Sequence, residues 1–207
     1  MCGIVGIYLK TKKFEKNLGK MLSGMLNNME SRGPDSAGFA IYKNEKKDIF
    51  KYSLCINDLN FKKFKKEITN KIKKIQLSQH ADHVILKTPI EPKIIIKIIN
   101  EDFPEVSIVG YGNSIEIFKQ VGNPKDVVKK FKLESFSGTH GIGHTRMATE
   151  SAITTDGSHP YSTGKDECLV HNGSLSNHNN LRRELVKKGN IFNSENDTEV
   201  AAGYVSN

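Results

Sequence analysis

The chain begins Met1-Cys2-Gly3-Ile4-Val5-Gly6-Ile7-Tyr8, which places a thiol directly before an apolar stretch. Residues 2–9 are apolar and rich in β-formers, which predicts a buried strand at the very start of the chain. Methionine aminopeptidases generally remove Met1 before a small second residue, so the mature chain is expected to begin at Cys2. The alternative is a structural Cys2, a small buried residue that opens a strand.

An N-terminal cysteine carries a nucleophile and a base on one residue. A free α-amine has an ordinary pKa of about 7.7 to 8 and a thiol one of about 8.5, so the amine can take the thiol proton near neutral pH. Gly3 and Gly6 leave space beside the thiol. The start of the chain therefore indicates nucleophilic chemistry that needs no histidine.

Periodicity predicts the elements that follow the first strand. Apolar residues from Leu18 to Met29 recur at helical spacing, and Gly33-Pro34 ends that helix. Phe39 to Tyr42 is predicted to form a short strand. From Gly138 onward, strands are predicted at residues 140–148 and 168–171, and helices at residues 177–188 and from Asn196 or Asp197 onward.

Residues 45–137 differ from the rest because they are rich in Lys and Ile and contain no small polar motif. We interpret this range as an insertion in a single domain that spans residues 1–207. Within it, helices are predicted at residues 58–74 and after Asn123-Pro124, and strands at residues 83–88 and 105–120. Residues 93–100 fit a helix and a strand equally well.

Composition favours a soluble protein of the cytoplasm. The sequence has no apolar run near the length of a membrane span, and its three cysteines form no paired framework, so thiols are expected rather than disulfides. The net charge of +8 comes from 27 Lys and only 4 Arg, spread along the chain. Base readout favours Arg, so solvated lysine faces are preferred over nucleic-acid binding, with a polyanion site as the minor alternative.

Five short motifs occur in a fixed order, and together they carry a family resemblance. They are Met-Cys-Gly-Ile-Val-Gly at residues 1–6, Arg-Gly-Pro-Asp-Ser-Ala-Gly at 32–38, Gly-His-Thr-Arg at 143–146, His-Asn-Gly at 171–173 and Asp-Thr-Glu at 197–199. In this order they resemble the class II glutamine amidotransferases, which are N-terminal nucleophile hydrolases. The resemblance covers residues 1–44 and 138–207.

The resemblance implies an α+β fold, the four-layer αββα sandwich of that superfamily. Members continue well beyond the Asp-Thr-Glu motif, so the C-terminal part of the usual core is expected to be missing here. With residues 45–137 set aside, the rest is small for a sandwich core. The chain is therefore expected to need further polypeptide, a partner, or cover from the insertion.

The resemblance also assigns the groups that act on substrate. It makes Cys2 the nucleophile, with the Asn172 side-chain amide and the Gly173 backbone N–H as donors to the developing oxyanion. It further implies that Arg146 holds the glutamine α-carboxylate and that Asp197 holds the α-ammonium. Thr149 is expected to add a hydrogen bond near the carboxylate. For Asp197 the alternative is a helix N-cap, and for Asn172-Gly173 an ordinary turn.

Two more residues are expected to support the site without acting directly. Arg32 is predicted to order the N-terminal strand, and His171 to line the pocket. A metal site made from His140, His144, Cys168 and His171 is the alternative chemistry, but these residues lack the paired spacing of zinc ligands. We expect no metal in this chain.

The activity implied is hydrolysis of L-glutamine to glutamate and ammonia through a thioester on Cys2. Residues after Arg146 are similar to stand-alone glutaminase subunits of glutamate synthase-like systems. That similarity implies a partner synthase that aminates 2-oxoglutarate and holds flavin and iron–sulfur centres, while this chain holds no cofactor. The alternatives are a non-catalytic glutamine-sensing subunit and an amidotransferase component for a different acceptor.

Overall fold

The computed structural model describes residues 2–44, 48–148 and 152–206. Its strands are β1 (Gly3–Tyr8), β2 (Ser36–Tyr42), β3 (Phe50–Cys55), β4 (Gln76–His80), β5 (His83–Thr88), β6 (Ser107–Gly112), β7 (Ile115–Val121), β8 (His140–Arg146), β9 (Tyr161–Gly164) and β10 (Glu167–Leu169). Its α-helices are α1 (Leu18–Asn28), α2 (Phe61–Lys71), α3 (Pro92–Asp102), α4 (Pro124–Phe131), α5 (His178–Lys187) and α6 (Asp197–Val205).

The first sheet is antiparallel and has the strand order β1-β8-β2-β7. Gly3 of β1 pairs with Thr145 of β8, and Ser36 of β2 pairs with Arg146. The start of β1, the end of β8 and the start of β2 therefore share one end of the sheet. This register brings Cys2, immediately before β1, to the end of β8 where Arg146 lies.

Two glycines permit the close approach of the chain at this end of the sheet. A Cβ at Gly33 would lie 2.4 Å from the carbonyl carbon of Thr145, and a Cβ at Gly3 would lie 2.7 Å from the Thr145 Oγ1. Real side chains do not tolerate such distances. Glycine at position 33 therefore lets the turn before β2 lie directly against the β8 backbone, and glycine at position 3 leaves room for the Thr145 side chain beside β1.

Helices α1 and α4 cover the outer face of the first sheet. Side chains alternate along β2, so Phe39 and Ile41 point to this layer while Ala40 points to the opposite face. Phe39 stacks on Phe118 of β7 with 5.4 Å between ring centroids. The helical spacing predicted for α1 is confirmed, with Leu18, Leu22 and Leu26 completely buried against the sheet.

The second sheet is antiparallel with the order β4-β5-β3-β6, and helices α2 and α3 cover its outer face. Along β3, Tyr52 and Leu54 pack against these helices. The ambiguous range 93–100 is helical. Pro92 occupies the first turn, and Ile95 and Ile99, one turn apart, are buried against the sheet.

The two sheets meet at β7, the edge strand of the first sheet. The backbone N–H of Ile117 donates to the Ser53 Oγ of β3 over 2.8 Å, and Ile85 of β5 joins the core beneath α1 and α4. The layers therefore run helix, sheet, sheet, helix. This is the order expected for the αββα sandwich.

Residues 48–137 supply more than a separate inserted lobe. They form the entire second sheet with its helices, and β7 pairs along its full length with β2 in the first sheet. Helix α4 packs on the same face as α1. A boundary at residue 137 therefore does not separate core from insertion in the structure, and the absence of this range from other family members stays a prediction.

The last part of the chain forms a hairpin of β9 and β10 followed by α5 and α6, which pack on each other. Gly189 has a φ of +94° directly after α5, as expected of a glycine that ends a helix. None of the helices within the described residues is long and apolar enough to cross a lipid bilayer.

Candidate active site

A cleft of about 540 Å³ opens at the end of the first sheet where β1 and β8 meet. It is lined by residues from widely separated parts of the sequence, which supply one thiol and several charged or polar groups. They are Cys2, Arg146, Met147, His159, His171, Gly173, Ser174, His178, Asn179, Arg182, Glu195, Asn196, Asp197 and Thr198. The thiol, the guanidinium and the carboxylate predicted to act on one substrate thus share one cavity.

Cys2 lies in this cleft with its carbonyl held by two side chains. The Asn172 Nδ2 donates to the Cys2 carbonyl oxygen over 3.1 Å, and the Arg32 Nε donates to the same oxygen over 3.4 Å. The thiol itself is 3.9 Å from the Met147 carbonyl oxygen. Arg32 therefore contacts the backbone of Cys2, and its role in ordering the N-terminal strand stays a prediction.

Among the cysteines, Cys2 alone lines the cleft. Burial raises the pKa of the Cys55 thiol to about 11, and burial likewise raises that of Cys168 to about 11. Both thiols therefore stay protonated at neutral pH and are poor nucleophiles. The Cys168 thiol is instead 3.4 Å from the Tyr42 hydroxyl.

Asn172 and Gly173 lie beside the nucleophile on an exposed segment. A side-chain amide has two N–H groups, so the contact with Cys2 commits one and leaves the other able to reach a substrate oxygen. A Cβ at Gly173 would lie 2.8 Å from the His171 Nε2, so the His171 ring would have to shift to admit a larger residue. Gly173 thus lies directly against the ring of His171, which also lines the cleft.

Asp197, at the start of α6, is linked by hydrogen bonds to the segment that contains His171 and Leu175. Its Oδ2 accepts from the Leu175 backbone N–H over 2.6 Å, and its Oδ1 accepts from the Thr198 hydroxyl over 3.2 Å. The Thr198 oxygen in turn lies 3.2 Å from the His171 Nδ1. The N-cap of α6 is Asn196, whose side chain accepts from Thr198 N, so the N-cap interpretation of Asp197 is wrong.

Arg146 ends β8 and is almost completely buried, with 4% of its surface exposed. Its Nη1 donates to the Ala152 carbonyl oxygen over 3.1 Å. Thr149, the other residue predicted to bind the carboxylate, lies outside the described residues. The backbone N–H of Ala148 donates to the Asp35 carboxylate over 2.8 Å, so Asp35 holds the chain just beyond Arg146.

A buried lysine that the sequence did not single out holds the segment behind Arg146. The Lys119 Nζ donates to the carbonyl oxygens of Asp156 and Ser158 over 3.0 and 2.9 Å. Burial lowers its pKa to about 8. Lys119 and Arg146 thus secure the segment that contains residues 152–158 at both of its ends.

The residues of the alternative metal site do not come together. His140 lies at the opposite end of β8 from Arg146, stacked on Tyr42, and Cys168 contacts the Tyr42 hydroxyl. His144 Nε2 lies 2.9 Å from the His171 carbonyl oxygen rather than from its ring. In residues 2–44, 48–148 and 152–206, no cluster of His, Cys, Asp or Glu is arranged to hold a metal ion.

A pair of buried histidines lies behind the cleft. The rings of His144 and His159 stack with 3.9 Å between centroids. Burial lowers the pKa of His144 to about 4, and burial, followed by the charge of His144, lowers the pKa of His159 well below its ordinary value. Both rings are therefore neutral at pH 7. The lone His159 in Ser-His-Pro-Tyr gave no periodic or motif signal by which it could have been predicted.

This pair predicts loss of stability in acid. His144 has a pKa near 6.5 in the unfolded state and about 4 in the folded state, so between these pH values the unfolded state binds the proton more tightly. The free energy of unfolding therefore has its full value above pH 6.5 and decreases as the pH falls toward 4. The expected loss is about 3 kcal/mol for His144. Urea unfolding at a series of pH values measures it, and His144→Gln, which keeps a donor to His171, should flatten the profile. An equally steep profile in that variant would contradict the assignment.

Comparison with known proteins gives a consistent set of relatives. The family described as "Glutamine amidotransferase domain" matches residues 133–206. The glutamine amidotransferase-like protein GlxB of Rhizobium meliloti (strain 1021) is 47% identical over 209 residues, which cover 100% of this chain and 69% of GlxB. An isomerizing glutamine–fructose-6-phosphate aminotransferase of Methanococcus maripaludis is 39% identical over 99 residues, 47% of this chain and 16% of that enzyme.

The fold is also found in a solved structure. The allosteric regulatory enzyme of purine biosynthesis superposes with a TM-score of 0.55 at 18% identity, over 98% of this chain. The superposition spans only 28% of that enzyme's chain. This similarity supports the architecture, since identity so low carries no information about substrate.

Proposed function

The chain belongs to the class II glutamine amidotransferases, N-terminal nucleophile hydrolases, and on that premise we propose that it hydrolyses L-glutamine with Cys2 as nucleophile. The observation that carries this proposal is that Cys2, Arg146 and Asp197 line one cleft, with Asn172 in contact with the Cys2 backbone. These residues come from both ends of the sequence. A core that only needed them for packing would not direct a thiol, a guanidinium and a carboxylate toward the same cavity.

The reaction begins once Met1 has been removed and the Cys2 α-amine is free. The amine accepts the thiol proton, and the sulfur attacks the side-chain carbonyl carbon of glutamine. Negative charge develops on the carbonyl oxygen, where the second N–H of Asn172 and the backbone N–H of Gly173 donate to it. Collapse of this intermediate returns the proton to the leaving nitrogen, releases ammonia and leaves a thioester on Cys2.

Water completes the cycle. A water molecule gives a proton to the α-amine and attacks the thioester carbonyl, and the same donors stabilise the second oxyanion. The carbon–sulfur bond then breaks, the α-ammonium returns its proton to the Cys2 sulfur, and glutamate is released. The net reaction is glutamine plus water to glutamate plus ammonia, with no change of oxidation state and no cofactor required from this chain.

The charged ends of glutamine are assigned to the two charged residues of the cleft. Arg146 offers a planar guanidinium to the α-carboxylate, and Asp197 offers a carboxylate to the α-ammonium. Segment 152–158, held by Lys119, fixes the position of Arg146. Thr149 is proposed to add a hydrogen bond to the substrate carboxylate.

Asp197→Asn tests this assignment through the separation of KM and kcat. An Asn oxygen still accepts from Leu175 N, so the segment keeps its fold, but the charge that pairs with the ammonium is lost. We expect a rise in KM for glutamine of about tenfold or more with kcat little changed, because a hydrogen bond to a charged group contributes about 1.5 to 3 kcal/mol. Ammonia release measured against glutamine concentration gives both constants.

Glu195→Gln is the matched control, since Glu195 also lines the cleft and its replacement removes the same charge. Its KM should stay within about twofold of the parent because an exposed charge contributes little. A variant Asp197→Asn with an unchanged KM and a lower kcat would contradict the assignment of Asp197 to the substrate ammonium.

We further propose that the ammonia passes to a separate synthase, with 2-oxoglutarate as acceptor in a glutamate synthase-like system of the cytoplasm. The long match to GlxB supports a stand-alone component. Less than a third of GlxB lies outside the matched region, whereas more than four-fifths of the aminotransferase lies outside its matched region. Copurification with a polypeptide that holds flavin and iron–sulfur centres would support the proposal. Copurification with a synthase that lacks both would contradict it.

A further inference from the structure

A second cavity, of about 690 Å³, lies between the two sheets at the end away from the cleft. Lysines from four parts of the chain line it: Lys43 after β2, Lys51 on β3, Lys74 before β4 and Lys87 on β5. The distance along β2 from Ser36, which pairs with Arg146, to Tyr42 is about 20 Å. This basic cavity is therefore a different site from the one that holds Cys2.

Strand register places two of these lysines directly opposite each other. Lys51 of β3 pairs with Lys87 of β5, and Lys87 pairs on its other side with Gln76 of β4. Like charges at directly opposed positions of a sheet are destabilising. All three side chains line the basic cavity, so the sheet presents two ammonium groups and an amide to it in one row.

The acids nearby offset only part of this charge. Glu116, with 2% of its surface exposed, pairs with Lys43 over 2.5 Å and with Lys51 over 3.4 Å. Glu15 also lines the basic cavity. Lys74 and Lys87 make no ion pair with any described residue. Among the described residues, four lysines thus face two carboxylates.

Lys51 is the least accessible of the four, with 8% of its side chain exposed. Burial lowers its pKa, Glu116 opposes this effect, and Lys43 and Lys87 lower the pKa further. The Lys51 ammonium is held by Glu116 and by the Ser114 carbonyl oxygen, 3.4 and 3.3 Å away. Lys74 and Lys87 line the same cavity without such a partner among the described residues, so these two ammonium groups are available to a negatively charged ligand.

We propose that the basic cavity binds a small molecule that carries a phosphate group. Lysine is a common phosphate ligand, because its ammonium acts as a point charge that suits the several oxygens of a phosphate. The cations among the described residues that line the cavity are four lysines, and a phosphate offers them more than one negative charge at a single centre. The volume is sufficient for a phosphorylated metabolite, because ligand sites commonly measure about 300 to 1,000 Å³.

Calorimetric titration with pyrophosphate tests the proposal on the intact chain at constant ionic strength. One saturable site per chain is expected. The double variant Lys74→Gln, Lys87→Gln should weaken binding by about tenfold or more, because two ammonium groups that would donate to the phosphate oxygens are removed. Lys74 is exposed, Lys87 is partly buried, and neither makes an ion pair with a described residue, so the variant should fold. Its free form should melt no lower than the parent, since the repulsion between Lys51 and Lys87 is removed.

The matched control is Lys62→Gln, Lys63→Gln on α2, which removes the same charge away from the basic cavity. Its affinity for pyrophosphate should stay within about twofold of the parent, as expected for screened surface charges. Equal weakening in both double variants would show nonspecific attraction and overturn the proposal. Tighter binding of citrate than of pyrophosphate, or displacement of pyrophosphate by chloride at the same ionic strength, would overturn the phosphate assignment.

Discussion

Cys2→Ala will reduce glutamine hydrolysis to background while the fold is retained. In the proposed mechanism the Cys2 thiol forms the thioester, and neither Cys55 nor Cys168 lines the cleft. The loss should be about a thousandfold or more, as for removal of a nucleophile in other hydrolases. Stability should change little, because the thiol makes only a 3.9 Å contact with the Met147 carbonyl oxygen. Ammonia release and thermal unfolding together measure the two effects.

Cys168→Ser is the matched control, because Ser keeps a partner for the Tyr42 hydroxyl and leaves Cys2 intact. It should retain nearly full activity. A second control addresses the α-amine: an N-terminal tag that cannot be removed should inactivate the chain as Cys2→Ala does, and a tag cleaved directly before Cys2 should restore activity. Near-normal turnover of the alanine variant would exclude the proposed nucleophile.

The second large effect is expected from Asn172→Ala, which removes an oxyanion donor. The value of kcat should fall by about a hundredfold to a thousandfold with a much smaller change in KM, because the donor acts on charge that develops only in the transition state. Asn172 also holds the Cys2 carbonyl over 3.1 Å, so part of the loss reflects a less fixed nucleophile. Steady-state kinetics, with unfolding measured in parallel, separate chemistry from folding.

Asn179→Ala is the comparison variant, since Asn179 lines the same cleft and is exposed. We expect kcat and KM within about twofold of the parent, as is usual for an exposed surface side chain. If Asn172→Ala instead raised KM alone, the residue would be a ground-state binding group. The oxyanion role would then be wrong.

Much of the first sheet could be predicted because its signals are local. The apolar start, the Leu and Met spacing of α1 and the Gly33-Pro34 stop each appear within a short window of sequence. Strand β3 was missed, because Phe50-Lys51-Tyr52-Ser53-Leu54-Cys55 follows a charged stretch and was included in the Lys- and Ile-rich range. Composition marked that range as different, but composition does not encode the pairing of β7 with β2.

The candidate site was predicted to a similar extent and for a similar reason. Short motifs contain Cys2, Arg146, Asn172 and Asp197. In the structure Cys2, Arg146 and Asp197 line one cleft, and Asn172 contacts the Cys2 backbone. The supporting contacts depend on residues distant in sequence. Lys119 is one of 27 lysines, and its sequence neighbours do not mark it as different from the others. Its burial becomes apparent only in the structure, where the buried ammonium needs carbonyl partners.

The charge of the chain was interpreted as solvated lysine faces, and that interpretation does not describe every lysine. Lys51 and Lys119 are buried, with 6% and 4% of their surface exposed. The Lys119 ammonium donates to backbone carbonyl groups, and Lys51 shares the Glu116 carboxylate with Lys43. Sequence alone shows neither arrangement, since both require strands that are far apart in the chain to lie side by side.

Covalent trapping shows whether Cys2 is the nucleophile. The purified chain, with Cys2 as its first residue, is incubated with a glutamine-like diazoketone, and intact mass spectrometry with peptide mapping locates the adduct. We predict one adduct per chain on Cys2, slowed by excess glutamine and absent from Cys2→Ala. An unmodified chain, or an adduct on Cys55 or Cys168 with Cys2 free, would contradict it.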